Sequence, residues 1–138
     1  MFDSKNVLYI LTMLEAIEKI FIYSADFENE EKFYLANKQL NINTSVKLLI
    51  AIGEENKKID EELKTSNKIN WKNLSAMRDK VSHNYRGIDE SMVWEIIKDY
   101  LPTLKILLIE MLPKIENSEL HIKEALKTQY YEELHYLI

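Results

Sequence analysis

Two glycines (Gly53 and Gly87) and two prolines (Pro102 and Pro113) are all that interrupt 138 residues. A sheet protein of this length must reverse its chain many times, and glycine and proline make tight turns at the lowest cost. So small a supply leaves a few long helices as the workable architecture. The predicted fold is all-α, one domain built as a bundle of four to five antiparallel helices. Apolar residues make up 46 % of the chain and charged residues 30 %, the balance of a packed core under a charged surface rather than of a disordered chain.

Apolar spacings of three and four predict a first helix over residues 4–24, with Val7, Ile10, Leu11, Leu14, Ile17 and Phe21 on one face and Asp3 or Ser4 as N-cap. A short connection over Asp26–Glu31 leads to a long second helix, Lys32–Leu63, with Leu35, Ile42, Val46, Leu49, Ile50 and Gly53 along its stripe. Propensity is poor at NINTS (41–45), because Asn, Thr and Ser compete for backbone bonds, so a break or kink is expected there. Gly53 inside that helix costs about 1 kcal/mol in propensity and marks a close helix crossing. TSNKIN (65–70) reads as a linker. A third helix over Trp71–His83 turns Trp71, Leu74, Met77 and Val81 inward. Asp89 caps a fourth, with Val93, Ile96, Ile97, Leu101, Leu104, Leu108 and Met111 on its face, a kink at Pro102 and an end at Pro113. Residues 118–136 give a thinner fifth stripe through Leu120, Leu126, Tyr130, Leu134 and Leu137.

The absence of cysteine excludes disulfide scaffolds, thiolate metal sites and thiol nucleophiles, and suits a reducing cytoplasm. The first twenty residues carry acids within their apolar stretch and lack a basic start, so no signal peptide is expected. No run reaches the roughly 18 apolar residues of a membrane span. A cytoplasmic protein with no membrane partner is the expectation.

Net charge is -5, yet the stretch Lys57–Arg86 holds eight basic and four acidic residues. A local basic region in an acidic chain can hold a phosphate backbone, although on charge alone an ordinary solvated surface is the favoured account. At the end of that region stands RDKVSHNY (78–85), which contains one of only two arginines and one of only three histidines. These residue types suit RNA cleavage without a metal. RNA carries its own nucleophile, the 2′-OH; the enzyme must remove that proton, stabilise charge on the phosphorane oxygens and protonate the leaving oxygen. His83 serves as base or acid near neutral pH, and the planar fork of Arg78 matches a phosphate. Ser82 and Asn84 can orient the substrate, with Asp79, Lys80 and Arg86 as neighbouring polar and charged groups. On an ideal helix Arg78 and His83 lie about 140° apart. The chain must therefore fold back near Gly87, or two copies must bring their clusters together. The plainer alternative makes His83 a helix C-terminal histidine, Arg78 a partner of Asp79 or Glu95, and Tyr85 a packed aromatic.

The stretch INWKNLSAMRDKVSHNYRGIDESMVWEIIKDYLPTLKILLIEML (69–112) resembles the HepT family, the toxin branch of the HEPN helical domains. The resemblance rests on Trp71, Met77-Arg78-Asp79, His83-Asn84-Tyr85, Gly87-Ile88-Asp89, Trp94-Glu95 and Leu101-Pro102. Upstream, LLIAIGEENKKI (48–59) is similar to the family's Ile-Gly-Glu stretch and EAIEKI (15–20) to its first helix, while NKQLNINTSVK (37–47) is less regular than the family's segment. The likeness divides the chain into a HEPN/HepT-like helical domain over 1–115 and a C-terminal helical extension over 116–138. It implies a homodimeric toxin with ribonuclease activity, Arg78 and His83 forming the catalytic pair in the dimer cleft, and either tRNA or mRNA as substrate. It also implies a nucleotidyltransferase antitoxin of the MntA type, which uses ATP and Mg²⁺ to transfer AMP to Tyr85; the toxin itself needs no cofactor. A non-catalytic binding module that serves a nucleotidyltransferase is the rival reading. A helical interaction protein without activity is a second.

Overall fold

The computed structural model describes residues 1–82 and 89–138. Helix α1, Asn6–Ser24, runs through the centre and buries Val7, Ile10, Leu11, Leu14, Ile17 and Ile20. Its entry turn is held by Asp3, whose carboxylate accepts from the Lys5 N–H (2.9 Å); Lys5, without a side-chain cap, occupies the N-cap position expected for Asp3 or Ser4. Phe2 pairs with Ile115 in an isolated parallel bridge, which ties the first residues to the end of the fourth expected helix.

The expected helix over residues 32–63 is three helices. Helix α2, Glu30–Leu35, starts at Asn29, whose side chain accepts from Lys32 N–H. The chain then passes through three consecutive left-handed residues, Asn37, Lys38 and Gln39, with φ of 51°, 57° and 72°. Helix α3, Leu40–Glu55, runs unbroken through NINTS. The break therefore lies upstream of the segment with the poorest propensity. Asn41 explains part of this: its amide donates to the Tyr23 carbonyl (2.9 Å) in the last turn of α1, so a residue that weakens an isolated helix here stitches two helices together. Leu35, beside the break, is exposed rather than part of the stripe. Helix α4 is short, Glu61–Thr65.

Residues 66–70 form the connection to helix α5, Trp71–Ser82, which buries Leu74, Met77 and Val81. Asn67 anchors that connection by donating to the Leu107 carbonyl (3.1 Å). Asp89 caps helix α6, Glu90–Glu95, by accepting from Met92 N–H. A π-helical turn, Ile96–Tyr100, follows directly and leads into helix α7, Leu101–Met111. The Leu101 N–H reaches five residues back to the Ile96 carbonyl. Pro102, which has no N–H to donate, falls in the first turn of α7 directly after this wide turn. A π turn thus stands where the sequence led one to expect a proline kink. Phe33 of α2, fully buried, packs between Phe27 and Trp94 of α6 at ring-centroid distances of 5.7 and 5.6 Å.

The expected fifth helix is also split. Helix α8 covers Ser118–Ala125, and a 3₁₀ segment covers Gln129–Leu137 with a kink at Tyr131. Its inward residues are Ile122, Ala125, Leu126 and Leu134, whereas Leu120 and Tyr130 face out. These buried residues belong to the same core cluster as α1, α3 and α7. No helix among the described residues is long and apolar enough to cross a membrane.

Candidate active site

Arg78 sits on the face of α5 that crosses α3, and Gly53 makes the crossing close enough. A methyl group at Gly53 would overlap Cβ and Cγ of Arg78, so only glycine lets the two backbones approach this far. The close helix crossing read from the sequence is therefore real, and its partner is the arginine. The next residue on α3, Glu54, places Oε1 2.5 Å from Arg78 Nε. Arg78 Nε makes no aligned hydrogen bond, so this is a charge contact. Asp79 takes the Nη1 edge at 3.3 Å. Nη2 has no partner among the described residues, which leaves one edge of the guanidinium for an incoming anion.

The end of α3 is itself held in place. Asn56 donates to the Gly53 carbonyl (2.5 Å) and accepts from Lys64 Nζ (3.5 Å). Lys64 is buried, with its ammonium 5.3 Å from the Trp71 ring centre, and its carbonyl accepts from Trp71 Nε1 (3.1 Å). The first residue of α5 and the last turn of α3 are thus locked through one lysine. This lock fixes the height at which Arg78 meets Glu54.

Of the other expected site residues, Asp79 and Ser82 lie on the Arg78 side of α5, and Ser82 Oγ donates to the Asp79 carbonyl (3.1 Å). Lys80 is about 200° around the helix from Arg78. It lines a groove of about 570 Å³ between α5 and the α6–π segment. The structure therefore does not bring Lys80 together with Arg78. His83, Asn84, Tyr85 and Arg86 lie outside the described residues. Glu95, the alternative partner of Arg78, lines the Lys80 groove instead. Sequence reasoning missed Glu54 as the partner; the Ile-Gly-Glu stretch was the available signal.

The basic excess is partly neutralised by neighbours. Lys57 pairs with Glu54, Lys58 with Glu55 and Lys64 with Glu61. Among the described residues, Lys68, Lys72 and Lys80 form no ion pair.

Comparison with known proteins places this geometry in a family. The sequence model described as Ribonuclease HepT-like matches residues 13–111. The chain is 32 % identical over 98 residues to a Thermococcus cleftensis protein named as a probable ribonuclease HepT, covering 70 % of this chain and 86 % of the relative. It is 33 % identical over 118 residues to a Methanocaldococcus jannaschii protein provisionally named as an RNase, covering 85 % of this chain and 93 % of the relative. No solved structure matches it. The family match spans α3, the Gly53–Arg78 crossing and the whole of RDKVSHNY, and the chain belongs to the HepT-like ribonuclease family.

Proposed function

We propose that the chain is the ribonuclease toxin of a toxin–antitoxin pair, acting as a homodimer with Arg78 and His83 as its catalytic residues. The observation that carries this reading is the setting of Arg78. A guanidinium is held by a glycine crossing and two carboxylates, Glu54 and Asp79, in the helix that leads in sequence to His83, with Nη2 left open. Such a group binds the scissile phosphate through its open Nη2 and stabilises the charge that grows on its non-bridging oxygens. His83 removes the 2′-OH proton, and the oxygen attacks the adjacent phosphorus. The bond to the 5′-oxygen breaks, and that oxygen takes a proton from a second histidine, supplied by the other copy. The products are a 2′,3′-cyclic phosphate and a 5′-OH, and no metal is required.

Control falls to Tyr85, two residues from His83. A MntA-type nucleotidyltransferase, using ATP and Mg²⁺, would join AMP to its hydroxyl. The added phosphodiester brings about one negative charge and would occupy the phosphate position beside Arg78. Growth arrest on expression, its loss in Arg78→Ala and His83→Ala, and an AMP mass increment that disappears in Tyr85→Phe are the expected results. Growth arrest undiminished in both Arg78→Ala and His83→Ala would overturn the catalytic assignment. An AMP increment retained in Tyr85→Phe would overturn the switch.

A further inference from the structure

The groove on the far side of α5 from Arg78 is lined by Asn73, Met77 and Lys80 on one wall and by Glu95, Asp99 and Tyr100 on the other. Its volume of about 570 Å³ lies within the roughly 300–1,000 Å³ typical of small-ligand sites. Met77, Met92 and Ile96 make its apolar lining. The polar groups around it are unengaged: among the described residues, the side chains of Asn73, Lys80, Glu95, Asp99 and Tyr100 make no hydrogen bond or ion pair. Elsewhere on the surface Glu28, Glu54, Glu55, Glu119 and Glu124 each hold a lysine. One wall is the π turn Ile96–Tyr100, a local widening that often accompanies functional sites. The two walls are joined in sequence by the short connection that contains His83 and Tyr85.

We propose that this groove is a nucleobase subsite selective for guanine, which reads a residue of the RNA next to the cut. The inference rests on the ribonuclease reading above and names its specificity element. The chemistry selects the base. Glu95 and Asp99 are acceptor-only when ionised. Guanine presents two adjacent donors, N1–H and the N2 amino group, on its Watson–Crick edge. Adenine and cytosine pair their amino donor with a ring-nitrogen acceptor, and uracil flanks its single N–H with carbonyls; each would set a lone pair against a carboxylate. Single-stranded RNA bases are read in this way, with faces packed on apolar or aromatic side chains and edges hydrogen-bonded. The Asn73 amide can donate to guanine O6, and Lys80 can take the attached phosphate. Burial raises the Tyr100 pKa above its ordinary value, so its hydroxyl remains a donor.

The test is binding of the four nucleoside 3′-monophosphates to the purified chain by calorimetry, with base preference in RNA cleavage measured alongside. GMP should bind at least about tenfold tighter than AMP, CMP or UMP. Glu95→Gln and Asp99→Asn should each remove most of that preference. Equal binding of all four, or a GMP preference untouched by both substitutions, overturns the subsite. So does an Ala76→Trp variant that changes the oligomeric mass but leaves GMP binding intact, because the groove is then covered by a second copy. GMP selectivity that depends on Glu95 and Asp99 in a chain that cuts no RNA sustains the subsite and defeats the ribonuclease reading. Cleavage without base preference does the reverse.

Discussion

Gly53 of α3 lies against the Cβ and Cγ of Arg78 of α5, with no room for a side chain between them. Two opposing effects meet in Gly53→Ala. Alanine is the better helix former by about 1 kcal/mol. Overpacking a tight contact costs about 1–3 kcal/mol. Because the clash is with the stem of Arg78 close to the α5 backbone, the second effect should win. The variant is predicted to unfold at lower denaturant concentration and to lose RNA cleavage by more than the fraction unfolded explains. A more stable variant of full activity would show that the crossing is loose.

Glu54 holds the same arginine by charge. Arg78 and Glu54 side chains are 32 % and 44 % exposed, so the pair is worth at most about 1 kcal/mol of stability after screening. Its contribution is to position. Glu54→Gln should therefore leave the denaturation midpoint nearly unchanged and reduce cleavage about tenfold. Added salt should narrow the difference between Glu54→Gln and the parent chain. Equal rates in the two proteins would remove Glu54 from the site.

The fold was legible where apolar residues recur every three or four positions. That holds for α1, for α5 and for the face running from Val93 to Met111. Gly53 was legible too, because a glycine amid good helix formers needs a packing reason. The left-handed break at Asn37–Gln39 was not, since nothing in lysine or glutamine signals it. NINTS misled for the complementary reason: the bond from Asn41 to the Tyr23 carbonyl is a tertiary contact that local propensity does not contain. The C-terminal stripe was thin because a kinked 3₁₀ segment buries few residues. Within the site, the arginine was visible as a rare residue, whereas Glu54 becomes its partner only through the helix crossing.

Leu134 tests whether the C-terminal segment belongs to the core. It is 0 % exposed, and its neighbour Tyr131 shares a 3.0 Å hydrogen bond with Thr12 of α1. Leu134→Ala should cost about 2–5 kcal/mol and shift one cooperative transition monitored by far-ultraviolet circular dichroism. A small early transition, with the main one unmoved, would make residues 118–138 a separate unit.

Acid and base should loosen the N-terminal turn in opposite ways. The Asn6 amide (3.1 Å) and then the Lys5 ammonium (3.2 Å) hold the Asp60 carboxyl below its ordinary pKa. Its contribution is present above the unfolded carboxylate range and is lost as pH falls through the depressed value. The hydrogen bond to Asp60 raises the Lys5 pKa, so the lysine contributes below its ordinary value and ceases to as pH rises through the raised one. Stability from this pair is therefore flat between roughly pH 5 and pH 10 and declines on either side. Asp60→Asn should flatten the acid limb of the denaturation midpoint plotted against pH. An unchanged acid limb would exclude the pair as its source.

The central claim is that Arg78 and His83 cleave RNA through its own 2′-OH. Its most direct test incubates the purified chain with single-stranded RNA in excess EDTA and identifies the new ends. The account predicts 2′,3′-cyclic phosphate and 5′-OH ends, no cleavage at 2′-O-methylated positions, and a loss of at least about 100-fold in folded Arg78→Ala and His83→Ala. Intact RNA, or cleavage that survives 2′-O-methylation or both substitutions, would contradict it.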